Sequence, residues 1–291
     1  MNYPSTVHEL TAMLRRGSYL ADRGLATAVF VALSLERPIL LEGEVGVGKT
    51  EIAKVLASVF NRKLIRLQCY EGIDTSQALY EWDYARQLLH IRALSERHIS
   101  DEQAVEKLFG PKFLLERPLL QAIHAGDKAV LLIDEVDRAD DEFEAFLLEI
   151  LSDFQISIPE VGTVKAERPP LVVLTSNRTR ELHDALKRRC MYHWIDYPAP
   201  EREVEIVTVR EPGVSEALTR KVVAAVNRLR QMDLAKPPGI AETIDWARTL
   251  DFLGETSLTA DAVEMTLGSV VKERDDLDLV RDNLEEITSC A

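Results

Sequence analysis

GEVGVGKT at 43–50 decides how this chain is read. It fits the pattern G-x-x-x-x-G-K-[ST] and stands in the context that pattern requires. PILLEG at 38–43 is a short apolar run ending in glycine, and TEIAKVLASVF at 50–60 has helical spacing. Glycines 43, 46 and 48 let the backbone wrap closely around an anion, with N–H groups and the positive end of the next helix pointing at it. Lys49 neutralises β- and γ-phosphate charge, and the Thr50 hydroxyl is a Mg²⁺ ligand of the expected kind. The loop expected to hold ATP is therefore Gly43, Glu44, Val45, Gly46, Val47, Gly48, Lys49, Thr50 and Glu51.

Downstream, AVLLIDE at 129–135 is aliphatic almost throughout, as a central strand of a parallel sheet must be when both faces are covered. It ends in Asp134 and Glu135. Asp134 is placed to hold Mg²⁺ through water, and Glu135 to orient and polarise the attacking water. Paired acids at a strand end are common on solvated loops; their value here comes from following a phosphate loop in the correct order. PLVVLTSN at 170–177 is a further strand, ending in Asn177, a residue able to hydrogen-bond the lytic water or the γ-phosphate. Without the other motifs, Asn177 reads equally well as a simple strand end.

LKRRC at 186–190 sets Lys187, Arg188 and Arg189 together before the last strand, MYHWIDYP at 191–198. Three cations cannot all be buried unpaired, so they face solvent or a neighbouring chain, where an arginine is suited to stabilise transition-state charge. KLIRLQC at 63–69 supplies one more strand, and DDEFEAFLLEIL a helix capped by Asp140 or Asp141. A helix is expected between Ser18 and Leu35, stopped by Pro38. The alternation implies a doubly wound α/β domain over 1–200. Two stretches interrupt it: 70–112, too long for an ordinary connection, and 156–170, a hairpin with Gly162 at its turn. From 201 to 291 strands vanish, and 201–210, 215–232, 240–253 and 259–272 all carry helical periodicity, which predicts a second, all-helical domain.

The bulk properties narrow the partners. With 49 acidic against 35 basic residues the net charge is −14, so a phosphate backbone is repelled on average and nucleic acid is an unfavoured partner. The longest aliphatic runs are far too short to cross a bilayer, and the first ten residues lack a basic and then apolar leader, which predicts a cytoplasmic location with no membrane span. Three widely spaced cysteines suit neither a disulfide framework nor a zinc site. Cys69, at the end of a strand, reads as core.

GEVGVGKT, LLIDEVDRA, LTSN and the LKRR arginines, in that order, resemble the AAA+ ATPases and, more narrowly, the MoxR family. RLQCYEGIDTSQALYEWDYARQLL and LTSNRTRELHDALKRRCMYHWIDYP are similar to its CoxD branch, linked to maturation of molybdenum carbon monoxide dehydrogenase and related enzymes. The resemblance covers roughly residues 18–200. It implies a P-loop core with a parallel five-stranded sheet between helices and a helical lid, and a ring, usually a hexamer, with ATP sites at subunit interfaces. It further implies Asn177 as sensor 1, Arg188 as arginine finger with Arg189 as runner-up, and the 70–112 and 156–170 segments as remodelling loops. Such proteins act as chaperones for a client metalloenzyme, often with a von Willebrand factor A domain partner. One departure stands out: Glu242 occupies the place of the sensor 2 arginine, and Arg248, nearly two turns on, is either its substitute or a lid surface residue. Two other classes compete: a P-loop small-molecule kinase, disfavoured by Glu135 and Asn177, and a DNA-associated AAA+ protein, disfavoured by the charge and by the absence of a basic stripe.

Overall fold

The central sheet is built where the sequence is most aliphatic. The structure, a computed structural model, describes residues 3–95, 110–159 and 161–289. Nine strands are described: β1 (Ile39–Gly43), β2 (Lys63–Gln68), β3 (Tyr80–Trp82), β4 (Leu114–Glu116), β5 (Ala129–Asp134), β6 (Gln155–Ile158), β7 (Gly162–Lys165), β8 (Leu171–Ser176) and β9 (Met191–Ile195). Five of them form one sheet in the order β2-β5-β8-β1-β9. Each pairing with a resolved register is parallel: Gln68 lies opposite Asp134, Ile133 opposite Leu174, and Glu42 opposite Ser176. Every residue of β1, β5 and β8 is buried, whereas β2 and β9 at the margins are only partly covered. A continuous apolar run thus marks a strand with neighbours on both sides and helices on both faces.

By contact the chain divides into two compact units. One comprises Met1–Met13, Asp22–Glu42 and Ile52–His193. Its core joins Leu40, Ile65, Leu67, Leu131, Ile133 and Leu174 of the sheet to Leu119, Leu120 and Leu147 of flanking helices. Full burial of each such side chain is worth about 1.5–3 kcal/mol. The helix Asp141–Asp153 is capped by Asp140, whose carboxylate accepts from the Phe143 amide at 2.8 Å. The first predicted helix is shorter than its apolar spacing implied. It runs Arg23–Ser34 because Asp22 caps it, accepting from Leu25 at 2.7 Å, while Ser18 has a left-handed backbone with φ +59°. A helix at Val7–Arg16 precedes it.

The 70–112 stretch contains a short helix Thr75–Ala78, the strand β3 paired antiparallel with β4, and a helix Tyr84–Ser95. Residues 96–109 of that stretch lie outside the described residues. The hairpin is present as β6 paired with β7; Gly162 opens β7 opposite Ile158, with φ +96°. Residue 160, in its turn, lies outside the described residues.

The other unit comprises Leu14–Ala21, Gly43–Glu51 and Trp194–Ala291. Its helices span Pro200–Arg210, Glu216–Arg230, Ile240–Phe252, Ala260–Val270, Arg274–Arg281 and Leu284–Ser289. Trp246 is fully buried among Val222, Leu229, Val263 and Leu267, and its indole N–H donates to Thr266 Oγ at 2.7 Å. Glu203, also fully buried, is held by both terminal nitrogens of Arg230 at 2.7 and 2.8 Å and by the Thr243 hydroxyl at 2.7 Å. Arg230 Nε donates to Pro238 O at 2.7 Å, so this buried pair ties three helices and the loop before Ile240 together. No helix among the described residues is long and apolar enough to cross a membrane.

Candidate functional site

The glycine loop leaves β1 at Gly43 and ends in the helix Lys49–Val59. Gly46 and Gly48 have φ of +79° and +93°, a region that L side chains rarely adopt. At Gly46 space forbids a side chain as well, since a Cβ there lies 2.9 Å from the Gly239 Cα. Val47 is buried and pins the middle of the loop, while Val45 is exposed. The Lys49 side chain is buried; its ammonium donates to the carbonyls of Gly43 at 2.8 Å and Glu44 at 2.6 Å, across the mouth of the loop. Thr50 and Glu51 sit in the first turn of the helix, and Glu51 accepts from Arg210 Nη1 at 2.8 Å. The donor set, a loop of positive-φ glycines, a buried lysine and a hydroxyl at a helix start, fits a triphosphate with Mg²⁺.

The start of the helix Ile240–Phe252 closes on this loop. Ile240 N–H donates to Gly46 O at 3.0 Å, and Gly239 N–H donates to Glu242 Oε2 at 2.9 Å. Glu242 is therefore the capping residue of its own helix, with its carboxylate beside Gly46. Arg248 is exposed and paired with Glu211, which raises its pKa, so its charge is committed to the helical surface.

In the other unit, the carboxyl ends of β2, β5 and β8 gather the predicted acids. Asp134 Oδ1 accepts from the Thr175 hydroxyl at 2.6 Å, and Oδ2 from Arg66 Nη2 at 2.6 Å and Nε at 3.1 Å. Glu135 follows with φ +54°, a left-handed backbone that costs a non-glycine residue about 1–2 kcal/mol and is characteristic of functional turns. Its amide donates to Thr175 Oγ1 at 2.9 Å, and its carboxylate accepts from Gln68 Nε2 at 3.1 Å and Arg138 Nη1 at 3.2 Å. Asn177 stands just past β8. Its backbone amide donates to the buried Asp137 carboxylate at 3.2 Å, which also takes the amide and hydroxyl of Thr179 at 2.8 and 2.7 Å. Asp134, Glu135 and Asn177 are thus brought to one edge of one sheet. The Cys69 thiol beside them is pushed up to about 12, first by burial and then by the charges of Asp134, Asp137 and Glu135, so it is a neutral core group.

Arg188 lies away from that edge, on the helix Asp184–Arg189. It is exposed and, among the described residues, its side chain makes no hydrogen bond or ion pair, whereas the Arg189 side chain donates to Ser152 Oγ. Arg66, Gln68, Thr175, Asp137 and Gly239 were not anticipated. The signal for two of them is present in KLIRLQ, where Arg66 and Gln68 share one face of β2 by the two-residue period of a strand.

A family model described as AAA domain (dynein-related subfamily) matches residues 38–190, more than half of the chain. Protein NorQ of Paracoccus denitrificans is 26% identical over 220 residues, covering 73% of this chain and 72% of NorQ. Protein CbbQ of Hydrogenophilus thermoluteolus is 26% identical over 252 residues, covering 83% of each chain. The gas vesicle ATPase GvpN of Haloferax mediterranei is 26% identical over 270 residues, covering 87% of this chain and 74% of GvpN. Among solved structures, a mutant of Thermotoga maritima RuvB superposes with a TM-score of 0.50 at 16% identity, covering 92% of this chain and 73% of that one, a likeness of fold.

Proposed function

The chain belongs to the AAA ATPases, in their dynein-related, MoxR-type subfamily, and from that premise we propose that it is a ring-forming remodelling ATPase that matures a client metalloenzyme. It is an ATP hydrolase that uses ATP with Mg²⁺. Residues 1–200 are assigned as the nucleotide-binding core and 201–291 as the lid.

The roles follow from what each side chain offers. Lys49 neutralises the β- and γ-phosphates, and the loop amides from Gly43 to Thr50 bind phosphate oxygens. Thr50 and Asp134 hold the metal, which supplies charge neutralisation for the transferred phosphoryl group. Glu135 takes the proton of the attacking water, Asn177 orients that water, and Arg188 of one subunit stabilises the transition state in its neighbour. The observation that carries the reading is the gathering of Asp134, Glu135 and Asn177 at the carboxyl ends of β5 and β8, in the sheet whose strand β1 leads into the glycine loop. The unengaged, exposed Arg188 favours it over Arg189 as the finger.

The metalloenzyme client rests on the CoxD-like stretches, the hexamer and a von Willebrand factor A domain partner on the wider family resemblance, and the cytoplasmic location on aliphatic runs too short to cross a bilayer. NorQ and CbbQ, as relatives of similar span, are compatible with a chaperone of this kind. The RuvB likeness is one of fold, and the charge of −14 opposes a nucleic-acid role. The test is affinity capture with a Glu135→Gln chain loaded with MgATP. A client metalloenzyme retained with ATP and released with ADP is the expected result; duplex DNA retained in its place, in a salt-sensitive manner, overturns it.

A further inference from the structure

Arg37 is a residue that none of the roles above uses, and it makes an unusual set of bonds. Its Nη2 donates to Arg188 O at 2.6 Å and to Cys190 O at 3.4 Å, and its Nε to Arg189 O at 3.1 Å. One guanidinium thus closes three successive carbonyls at the end of the helix Asp184–Arg189. The last carbonyls of a helix have no partner within it, and a cation there also meets the negative end of the peptide dipoles. Yet Lys187, Arg188 and Arg189 already crowd this end, so a fourth cation is opposed by charge. Direct bonding to the carbonyls is what holds it.

A helix of six residues does not keep its geometry alone. Leu186, fully buried, anchors one side of it; Arg37 anchors the end that carries Arg188. Arg37 is itself fixed, since its amide donates to Ala32 O at 3.0 Å, and Met191 N–H donates to Pro38 O at 2.7 Å directly beside it. Two residues after Arg37, β1 begins, and it ends at Gly43, where the glycine loop starts.

We propose that Arg37 is the positioning residue for Arg188: its fork on the carbonyls of residues 188–190 sets the direction in which the Arg188 side chain leaves the helix. Because Arg37 stands two residues before the strand that leads into the phosphate loop, each subunit aims its finger from the base of its own nucleotide-binding strand. This inference rests on Arg188 acting on a neighbouring subunit. A lysine at position 37 keeps the charge and loses the fork, so it does not replace Arg37.

The experiment uses the full-length chain and four variants: Arg37→Ala, Arg37→Lys, Arg188→Ala and Glu135→Gln. ATP turnover is measured alone and in mixtures, and binding is measured with a fluorescent ATP analogue. Since a misplacement of about 1 Å costs about 100-fold in rate, Arg37→Ala is expected to lose at least about tenfold in turnover with affinity for the analogue within about twofold. Arg37→Lys stays defective. Mixing Arg37→Ala with Glu135→Gln restores turnover above that of either alone, because the second chain supplies a well-aimed finger and the first supplies an intact Glu135. Wild-type turnover in Arg37→Ala overturns the proposal. So does failure of its mixture to recover while Arg188→Ala mixed with Glu135→Gln does recover, since Arg37 then serves folding alone. Wild-type turnover in Arg188→Ala removes the finger itself, and the proposal falls with it by a separate route.

Discussion

Arg66 grips one oxygen of Asp134 with two nitrogens, at 2.6 and 3.1 Å, while the other oxygen is taken by Thr175. The carboxylate assigned to Mg²⁺ is therefore shared with a resident cation whose own side chain is about half exposed. Pairs of this exposure are worth about 0.2–1 kcal/mol, or a factor of about 1.4 to 5. Arg66→Gln is expected to lower the Mg²⁺ concentration for half-maximal ATPase activity by that factor, read from a Mg²⁺ titration at fixed ATP. An increased requirement means that Arg66 orients Asp134 instead of competing for it.

Glu135→Gln removes the proposed proton acceptor and keeps the shape. Because the Gln68 and Arg138 bonds hold the side chain away from solvent averaging, the amide is expected to stay in place. Steady-state turnover should drop by about 100-fold or more, the span of general-base catalysis, with MgATP affinity retained. Undiminished phosphate release from the variant removes Glu135 from its role.

Gly239→Ala tests how the loop is held. Gly239 has an ordinary φ of −86°, so an alanine there suffers no backbone strain, but its Cβ meets Gly46 Cα at 2.7 Å and Val45 O at 2.9 Å. Backbone atoms cannot swing away as a side-chain tip can. Overpacking of this kind costs about 1–3 kcal/mol, and it should appear as weaker ATP binding together with a lower unfolding temperature. ATP affinity equal to wild type shows that the loop has slack.

Cys69 and Cys190 are both pushed from 9.0 to about 12, chiefly by burial, with Arg37 acting in the opposite sense on Cys190. A folded pKa raised above the unfolded one means that the native state keeps protons the unfolded chain gives up. The stability this confers is complete below pH 9 and declines as pH rises from 9 towards 12. Denaturant midpoints should fall across that interval. At pH 8 neither thiol should react with a thiol reagent until the chain unfolds, and rapid labelling of Cys69 in native protein contradicts its placement in the core.

The centre of the parallel sheet was legible because β1, β5 and β8 are aliphatic runs bounded by glycine, proline or polar residues, a pattern fixed by burial on both faces. The helices Val7–Arg16 and Arg274–Arg281 were missed although Leu10 and Leu14, and Leu277 and Val280, stand at helical spacing, because each segment is short and its apolar face is only two or three residues long. The glycine loop, Asp134, Glu135 and Asn177 were legible as local patterns. Arg66, Gln68 and Thr175 were hidden because their partners are chosen by strand order, which sets β2 and β8 on either side of β5. Hydrophobic spacing says that a strand exists and is silent on which strand lies next to it. Gly239 was hidden for a related reason: its partner is nearly two hundred residues away in sequence.

Asp137 gives the site edge a property that no single catalytic group provides. By collecting the amides of residues 177 and 179 on one buried carboxylate, it staples the segment after β5 to the segment after β8. A displacement of the segment that carries Glu135 is then carried into the segment that carries Asn177, so the two side chains proposed to act on the water are held to one another through a single carboxylate.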